Sequence, residues 1–155
     1  MPELTIREVP RNEHHLLIPL LLQAEPSERA LRWSLRNLSD TAYRMDEDGQ
    51  LVAAATMRWR DDPSELVELA VAPDRHGQGL GRRFVAYLAD EGRRRGKQSL
   101  IVGTSSTSAG NLLFYQKAGF RIDAVRHDYF WYYEPPLYEN GLPVRDMIVL
   151  RMHLH

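Results

Sequence analysis

Arg75-His76-Gly77-Gln78-Gly79-Leu80-Gly81-Arg82-Arg83 sets three glycines at alternate positions between two periodic segments. Before it, Leu66 to Ala72 reads as an apolar strand. After it, Leu80, Phe84, Val85 and Leu88 share one face of a helix predicted over 80–95, with arginines on the other. Strand, glycine loop and helix start together make an anion cradle. Glycines let the backbone approach a phosphate closely, and unpaired N–H groups of the first helical turn point at it with the positive end of the helix dipole. The stretch therefore predicts a site for a nucleotide-bearing cofactor. A P-loop is excluded, because no Lys followed by Ser or Thr comes after the last glycine. The G-x-G-x-G spacing also differs from the G-x-G-x-x-G dinucleotide fingerprint. Taken alone, spaced glycines equally describe a tight turn that opens a helix.

Upstream of the loop, Leu4 to Val9 alternates as a first strand and Asn12 to Leu22 carries the apolar face of a helix. Pro26 to Leu38 reads as a second helix, with Leu31, Leu35 and Leu38 at helical spacing. Thr41 to Met45 and Leu51 to Trp59 form a predicted hairpin around the turn residues Asp46 to Gln50. Downstream, Gly96 closes the long helix, Ser99 to Val102 is a short buried strand, and Gly103 to Gly110 is a loop. Asn111 to Ala118 is a short helix stopped by Gly119. Phe120 to Val125 and Val144 to Leu154 are the last strands, separated by an aromatic stretch from Tyr129 to Tyr133 and by Pro135-Pro136. The order β, α, α, β, β, β, α, β, α, β, β predicts one mixed α/β domain over 1–155.

Composition narrows the functional classes. A net charge of −1 argues against a nucleic-acid partner. The absence of cysteine excludes disulfides, cysteine-based zinc sites and a cysteine nucleophile. The longest apolar run, Leu16 to Leu22, is broken by Pro19 and falls far short of the roughly 20 residues that span a bilayer. The opening Met1 to Glu8 lacks the basic-then-apolar pattern of a signal peptide. The expectation is a cytoplasmic protein with no membrane or nucleic-acid partner. No metal is expected either: His14 and His15 are adjacent and do not share a helix face. Arg93-Arg94-Arg95-Gly96-Lys97 reads as a solvated helix end that suits the dipole.

A second motif lies downstream, Asn111-Leu112-Leu113-Phe114-Tyr115-Gln116-Lys117-Ala118-Gly119-Phe120. With it, the chain resembles the GNAT superfamily of N-acetyltransferases. That family's acetyl-CoA loop follows a strand ending in Val-x-Pro and has the pattern Arg/Gln-x-x-Gly-x-Gly/Ala. Val71-Ala72-Pro73 and His76-Gly77-Gln78-Gly79-Leu80-Gly81 match it, with His76 standing where Arg or Gln is usual. Asn111, Tyr115 and Gly119-Phe120 are matched to the Asn, Tyr and Gly-Phe of the family's second landmark. The resemblance implies a mixed sheet of about seven strands flanked by about four helices, with two central parallel strands splayed apart. It implies acetyl-CoA as co-substrate and an N-acetyltransferase acting on a primary amine of a small molecule or peptide by direct transfer.

The resemblance also assigns roles. Backbone N–H groups from Gly77, Gln78, Gly79, Leu80, Gly81 and Arg82 would hold the pyrophosphate, with His76 beside them at the cofactor. The backbone of Leu69 and Val71 would border the pantetheine, with the Leu69 N–H near the thioester carbonyl, where it can serve an oxyanion. Asn111, Phe114 and Lys117 would contact the cofactor. Tyr115 is the candidate general acid for the departing thiolate, or packs beside the cofactor. An alkylammonium has a pKa of about 10.4 and must lose a proton to attack. Glu68, with Glu65 as its neighbour, is the candidate base; both also read as half-exposed strand charges. Strand alternation sets Glu68 on the opposite face from Leu69.

The region corresponding to the tail Arg126 to Glu134 borders the acceptor pocket in relatives; an aromatic wall with a nearby carboxylate suits a cation or an aromatic amine, and core packing or a homodimer interface fits the same aromatics equally. The segment Tyr138 to Met147, with Asn140-Gly141 as turn chemistry, resembles a GNAT subgroup. The alternative from another class is a non-catalytic acyl-CoA-binding module. Tyr115 argues against it, because a binder has no use for an acid.

Overall fold

A computed structural model describes residues 3–155. Met1 and Pro2, which begin the stretch read against a signal pattern, lie outside them. The strands are β1 (Leu4–Val9), β2 (Thr41–Glu47), β3 (Gln50–Arg58), β4 (Ser64–Val71), β5 (Ser99–Ser105), β6 (Arg121–Arg126), β7 (Tyr138–Glu139), β8 (Leu142–Pro143) and β9 (Met147–His153). The helices are α1 (Ile18–Leu21), α2 (Glu28–Asn37), α3 (Leu80–Arg94) and α4 (Ala109–Lys117). Seven strands form one sheet in the order β1-β2-β3-β4-β5-β9-β6, and β7 and β8 form a separate ribbon. Every pairing in that sheet is antiparallel except β4 with β5.

Local chemistry explains most boundaries. Asp48 and Gly49 have φ of 49° and 84°, so the β2–β3 hairpin closes on a two-residue turn with both residues left-handed. The same device, Asn140 and Gly141 at 53° and 79°, closes β7–β8. Helix α2 starts one residue after Ser27, whose Oγ accepts from the Ala30 N–H at 3.1 Å, and not at Pro26. The helix predicted over 12–22 does not form. The chain makes a 3-10 helix over Arg11–Leu17 and then the single turn α1. Pro19 offers no N–H to the turn before it and crowds the carbonyl four residues back, so the backbone tightens.

Helix α3 packs one face of the sheet through Leu80, Phe84, Val85 and Leu88, against Leu66, Leu100, Val102 and Leu150. Burying each such side chain contributes about 1.5–3 kcal/mol. Helices α1 and α2 cover the other face, where Leu17, Leu21, Leu31 and Leu35 meet Ala42, Ala54 and Ala70. On that same face a smaller cluster of Ile101, Met147 and Val149 lies under Tyr129 and Phe130. Among the described residues, no helix is long and apolar enough to cross a membrane.

Boundaries differ from expectation at the functional end, where α4 begins at Ala109 and not at Asn111. Strand β5 continues through Ser105, because β9 pairs with it along its whole length. Strand β9 begins at Met147, not Val144. The preceding backbone is committed elsewhere: the Val144 N–H donates to Leu137, the Arg145 carbonyl accepts from Phe130, and the Asp146 carbonyl accepts from Ser106.

Candidate active site

The site exists because two strands part. Strands β4 and β5 pair only over Ser64–Leu66 and Leu100–Val102, and then both run on without each other. The splay opens a cleft of about 1700 Å³. The Ala72 N–H donates to the Val52 carbonyl at 2.8 Å. Antiparallel ladders alternate, so the backbone groups of Leu69 and Val71 point away from β3 and into the splay. His76, the departure from the usual loop residue, donates its Nε2–H to the Val71 carbonyl at 2.9 Å. That occupies one of the four groups and ties the loop to the strand.

The three glycines of the loop do different jobs. Gly77 and Gly79 have φ of 80° and 78°, with no atom within 4 Å of where a Cβ would stand. They supply left-handed backbone beside open space. Gly81 has ordinary helical backbone, and a Cβ there would lie 3.0 Å from Phe114 Cζ. It lets α3 approach α4. The first bond of α3 runs from the Arg83 N–H to the Gly79 carbonyl at 3.1 Å, so the N–H groups of Leu80, Gly81 and Arg82 have no intrahelical acceptor. This open nest fits a pyrophosphate, at a helix of 15 residues with the loop above it. Gln78 and Lys117 are exposed and do not line the cleft; His76, Gly77, Gly79, Leu80, Gly81, Arg82, Leu69, Val71, Asn111, Phe114 and Tyr115 do.

Tyr115 is 8% exposed, packed edge-on between Phe114 and Phe120 at ring separations of 5.0 and 5.7 Å. Its hydroxyl has no hydrogen-bond partner among the described residues, and burial pushes the phenol above its ordinary range. Asn111 donates to Thr104 Oγ1 at 3.3 Å and so ties α4 to β5.

On the opposite face stands Glu68, 7% exposed. It lies on the far side from Leu69, as alternation predicts, but a bulge complicates the strand. Thr56 pairs with Glu68 while Met57 pairs with Leu66, so Val67 is an extra residue. The bulge brings Glu65 to the same face as Glu68 and leaves Leu66 and Leu69 together on the α3 side. Glu68 accepts from Ser34 Oγ at 2.8 Å and from Thr56 Oγ1, and its own N–H donates to Thr56 Oγ1 at 3.0 Å. Burial pushes the Glu68 carboxyl up to about 7, against the pull of those two hydroxyls, and the charges of Glu25 and Glu65 add to the push. Glu65, also buried, pairs with Arg58 at 2.8 Å; burial raises it and Arg58 opposes.

The aromatic stretch forms the wall of this end. Tyr129, Phe130, Trp131, Tyr132 and Tyr133 all line the cleft, facing Trp33 and Ser34 of α2. Ser34, Thr56 and Glu25 carry no local motif, and sequence reading missed them. Only a fold that brings α2 and β3 against β4 reveals their contacts.

Comparison with known proteins agrees with this geometry. The sequence profile of the acetyltransferase (GNAT) family matches residues 10–120. The chain is 33% identical over 140 residues to the N-acetyltransferase YvbK of Bacillus subtilis, covering 89% of each. It is 26% identical over 119 residues to the ribosomal protein bS18-alanine N-acetyltransferase of Escherichia coli, covering 73% of this chain and 80% of the relative. A GNAT acetyltransferase from Elizabethkingia anophelis with acetyl-CoA bound superposes with a TM-score of 0.88 at 29% identity, over 97% of each chain. An anion nest, a splayed strand pair and a buried carboxylate in one cleft thus occur in a chain that belongs to the GNAT acetyltransferase family, an acetyl-CoA-dependent N-acetyltransferase.

Proposed function

We propose that the enzyme transfers acetyl from acetyl-CoA directly to a primary amine held in a ternary complex, with all 155 residues acting as one domain. One observation carries this reading. The splay of β4 from β5 joins an N–H nest, the free backbone of Leu69, the Tyr115 hydroxyl and the Glu68 carboxylate along one cleft. Acetyl-CoA supplies an acetyl group activated as a thioester. Gly77, Gly79 and the first turn of α3 hold the pyrophosphate. The Leu69 N–H faces the thioester carbonyl and stabilises charge that develops on its oxygen.

Glu68 takes a proton from the acceptor's ammonium, which frees the nitrogen lone pair. That nitrogen bonds to the carbonyl carbon as the C–S bond breaks. Tyr115 gives its proton to the departing sulfur and recovers one from solvent; Glu68 passes its first proton to solvent and then takes the second from nitrogen. One amide, one thiol and one proton result, so charge and atoms balance. A carboxyl near 7 suits a base working at neutral pH, and a buried phenol stays protonated until sulfur needs it.

The test is thiol release from acetyl-CoA across polyamines, amino acids, aminoglycosides, arylamines and peptide N-termini. The chain has no cysteine, so it adds no thiol background. Thiol release that requires one class of amine is the expected result. Acetyl-CoA binding with no thiol release for any amine refutes the reading and leaves an acyl-CoA-binding module.

A further inference from the structure

Among the described residues, five carboxylates line the cleft, and they differ in what they meet: Asp128 pairs with Arg145, Glu139 accepts from Thr107 Oγ1 at 3.0 Å, and the other three lie toward α2. Glu65 has a cation inside the protein, Arg58 at 2.8 Å. Glu68 meets two hydroxyls. Glu25 accepts from the Tyr132 phenol at 3.0 Å, the Tyr133 phenol at 2.6 Å and the Ser27 N–H at 3.2 Å. Among the described residues, no basic side chain stands within ion-pair distance of Glu25.

The phenols orient Glu25 without neutralising it. Burial first, and then the charge of Glu25, push Tyr132 upward; burial and the hydrogen bond to Glu25 do the same to Tyr133. Both remain protonated donors. Around the carboxylate the rings close up: Tyr132 and Tyr133 lie 4.6 Å apart, and Phe130 stacks on Tyr133 at 5.9 Å and 17°. Trp131 and Trp33 add exposed ring surface to the same wall. Aromatic faces beside an uncompensated carboxylate attract an organic cation. The basic residues of the cleft stand elsewhere. Arg29 and Arg36 are exposed on α2, and Arg75 and Arg82 belong to the glycine loop.

We infer that Glu25 and the Tyr132–Tyr133 wall form a second cation subsite, so that the acceptor is a diamine or an amine bearing a guanidinium. One ammonium reaches Glu68 and reacts. The other, an alkyl spacer away, docks on Glu25 and the rings. The inference rests on the acetyl-transfer reading and adds the class of acceptor. An α-amino acid fits poorly, because its carboxylate would face Glu25 and Glu65.

The experiment measures thiol release with n-butylamine, diaminobutane, diaminopentane and leucine, on the wild type and on Glu25→Gln. In the wild type, kcat/KM for the better diamine exceeds that for butylamine by about tenfold or more. In Glu25→Gln this ratio falls toward one, chiefly through KM. The ratio is taken within one variant, so a partial loss of folded protein does not move it. Tyr133→Phe, which keeps the carboxylate and removes one donor, retains a preference for the diamine. A wild-type ratio near one, a ratio unchanged in Glu25→Gln, or leucine surpassing both diamines overturns the inference and leaves acetyl transfer standing. Silence with every amine overturns both.

Discussion

Glu68→Gln should cost activity and raise stability, both in a pH-dependent way. The ordinary value of 4.5 for this carboxyl rises to about 7 in the folded protein. At 1.36 kcal/mol per tenfold in proton affinity, that difference amounts to roughly 3 kcal/mol. Its sign follows from proton counting. Between those two values the folded state keeps a proton that the unfolded state has lost, so wild-type stability falls as pH rises through this window. The substituted glutamine titrates in neither state. From about pH 5 to about pH 8.5, the stability of Glu68→Gln relative to the wild type should therefore grow by roughly 2.5 kcal/mol, read by urea unfolding.

The kinetic half has a distinct shape. With Glu68 as base, the wild type binds the ammonium and ionised Glu68 removes its proton. Its kcat/KM then climbs up to about 7 and levels until the amine itself titrates near about 10.4. The variant must wait for amine already neutral in solution. Its kcat/KM should lie about 10²- to 10³-fold low at neutral pH and keep climbing well past the wild-type plateau. A pH-independent stability difference, or a break near 7 surviving in Glu68→Gln, refutes the reasoning.

Tyr115→Phe should lower kcat by roughly 10²-fold or more while the KM for acetyl-CoA stays within a few fold. Because the hydroxyl has no partner, unfolding stability should change by less than about 1 kcal/mol; unchanged turnover removes the acid role. Gly79→Val meets no atom within 4 Å but forces a β-branched residue to φ +78°, costing about 1–2 kcal/mol and misdirecting the N–H nest. Calorimetric titration should then find acetyl-CoA binding lost, and retained micromolar affinity would sink the loop assignment. Gly81→Val fails differently. Its Cβ presses on Phe114, so overpacking of about 1–3 kcal/mol should appear as a lower Tm even without ligand.

The order of the elements and the glycine loop are legible because their signals are local. Asp48-Gly49 and Asn140-Gly141 name their turns, and alternation sets Glu68 and Leu69 on opposite faces. The apolar spacing over 12–22 suggests a helix, and Pro19 turns its first part into the 3-10 helix over Arg11–Leu17. Nothing in Glu65-Leu66-Val67-Glu68 marks Val67 as the extra residue; the bulge is known only against β3. The partners of Glu68 and Glu25 come from segments far along the chain. Gly81 looked like its neighbours in the loop, yet its reason for being glycine is Phe114, on another helix.

On the proposed reading, the bulge at Val67 is what lets a single strand serve two ligands. An unbroken β4 would set Glu65 and Glu68 on opposite faces and give one of them to the α3 core, away from Ser34, Thr56 and Arg58. With the extra residue, both carboxylates turn to the α2 side and both Leu66 and Leu69 remain in the core. Beyond the bulge, Leu69 and Val71 still present their backbone edge to the splay. Carboxylate side chains on one face and free backbone on the edge therefore stand a few residues apart on one strand. The buried charge on that face is the cost. It is offset only partly by Ser34 and Thr56, and the shortfall holds Glu68 near neutrality, where a base for amine chemistry is useful.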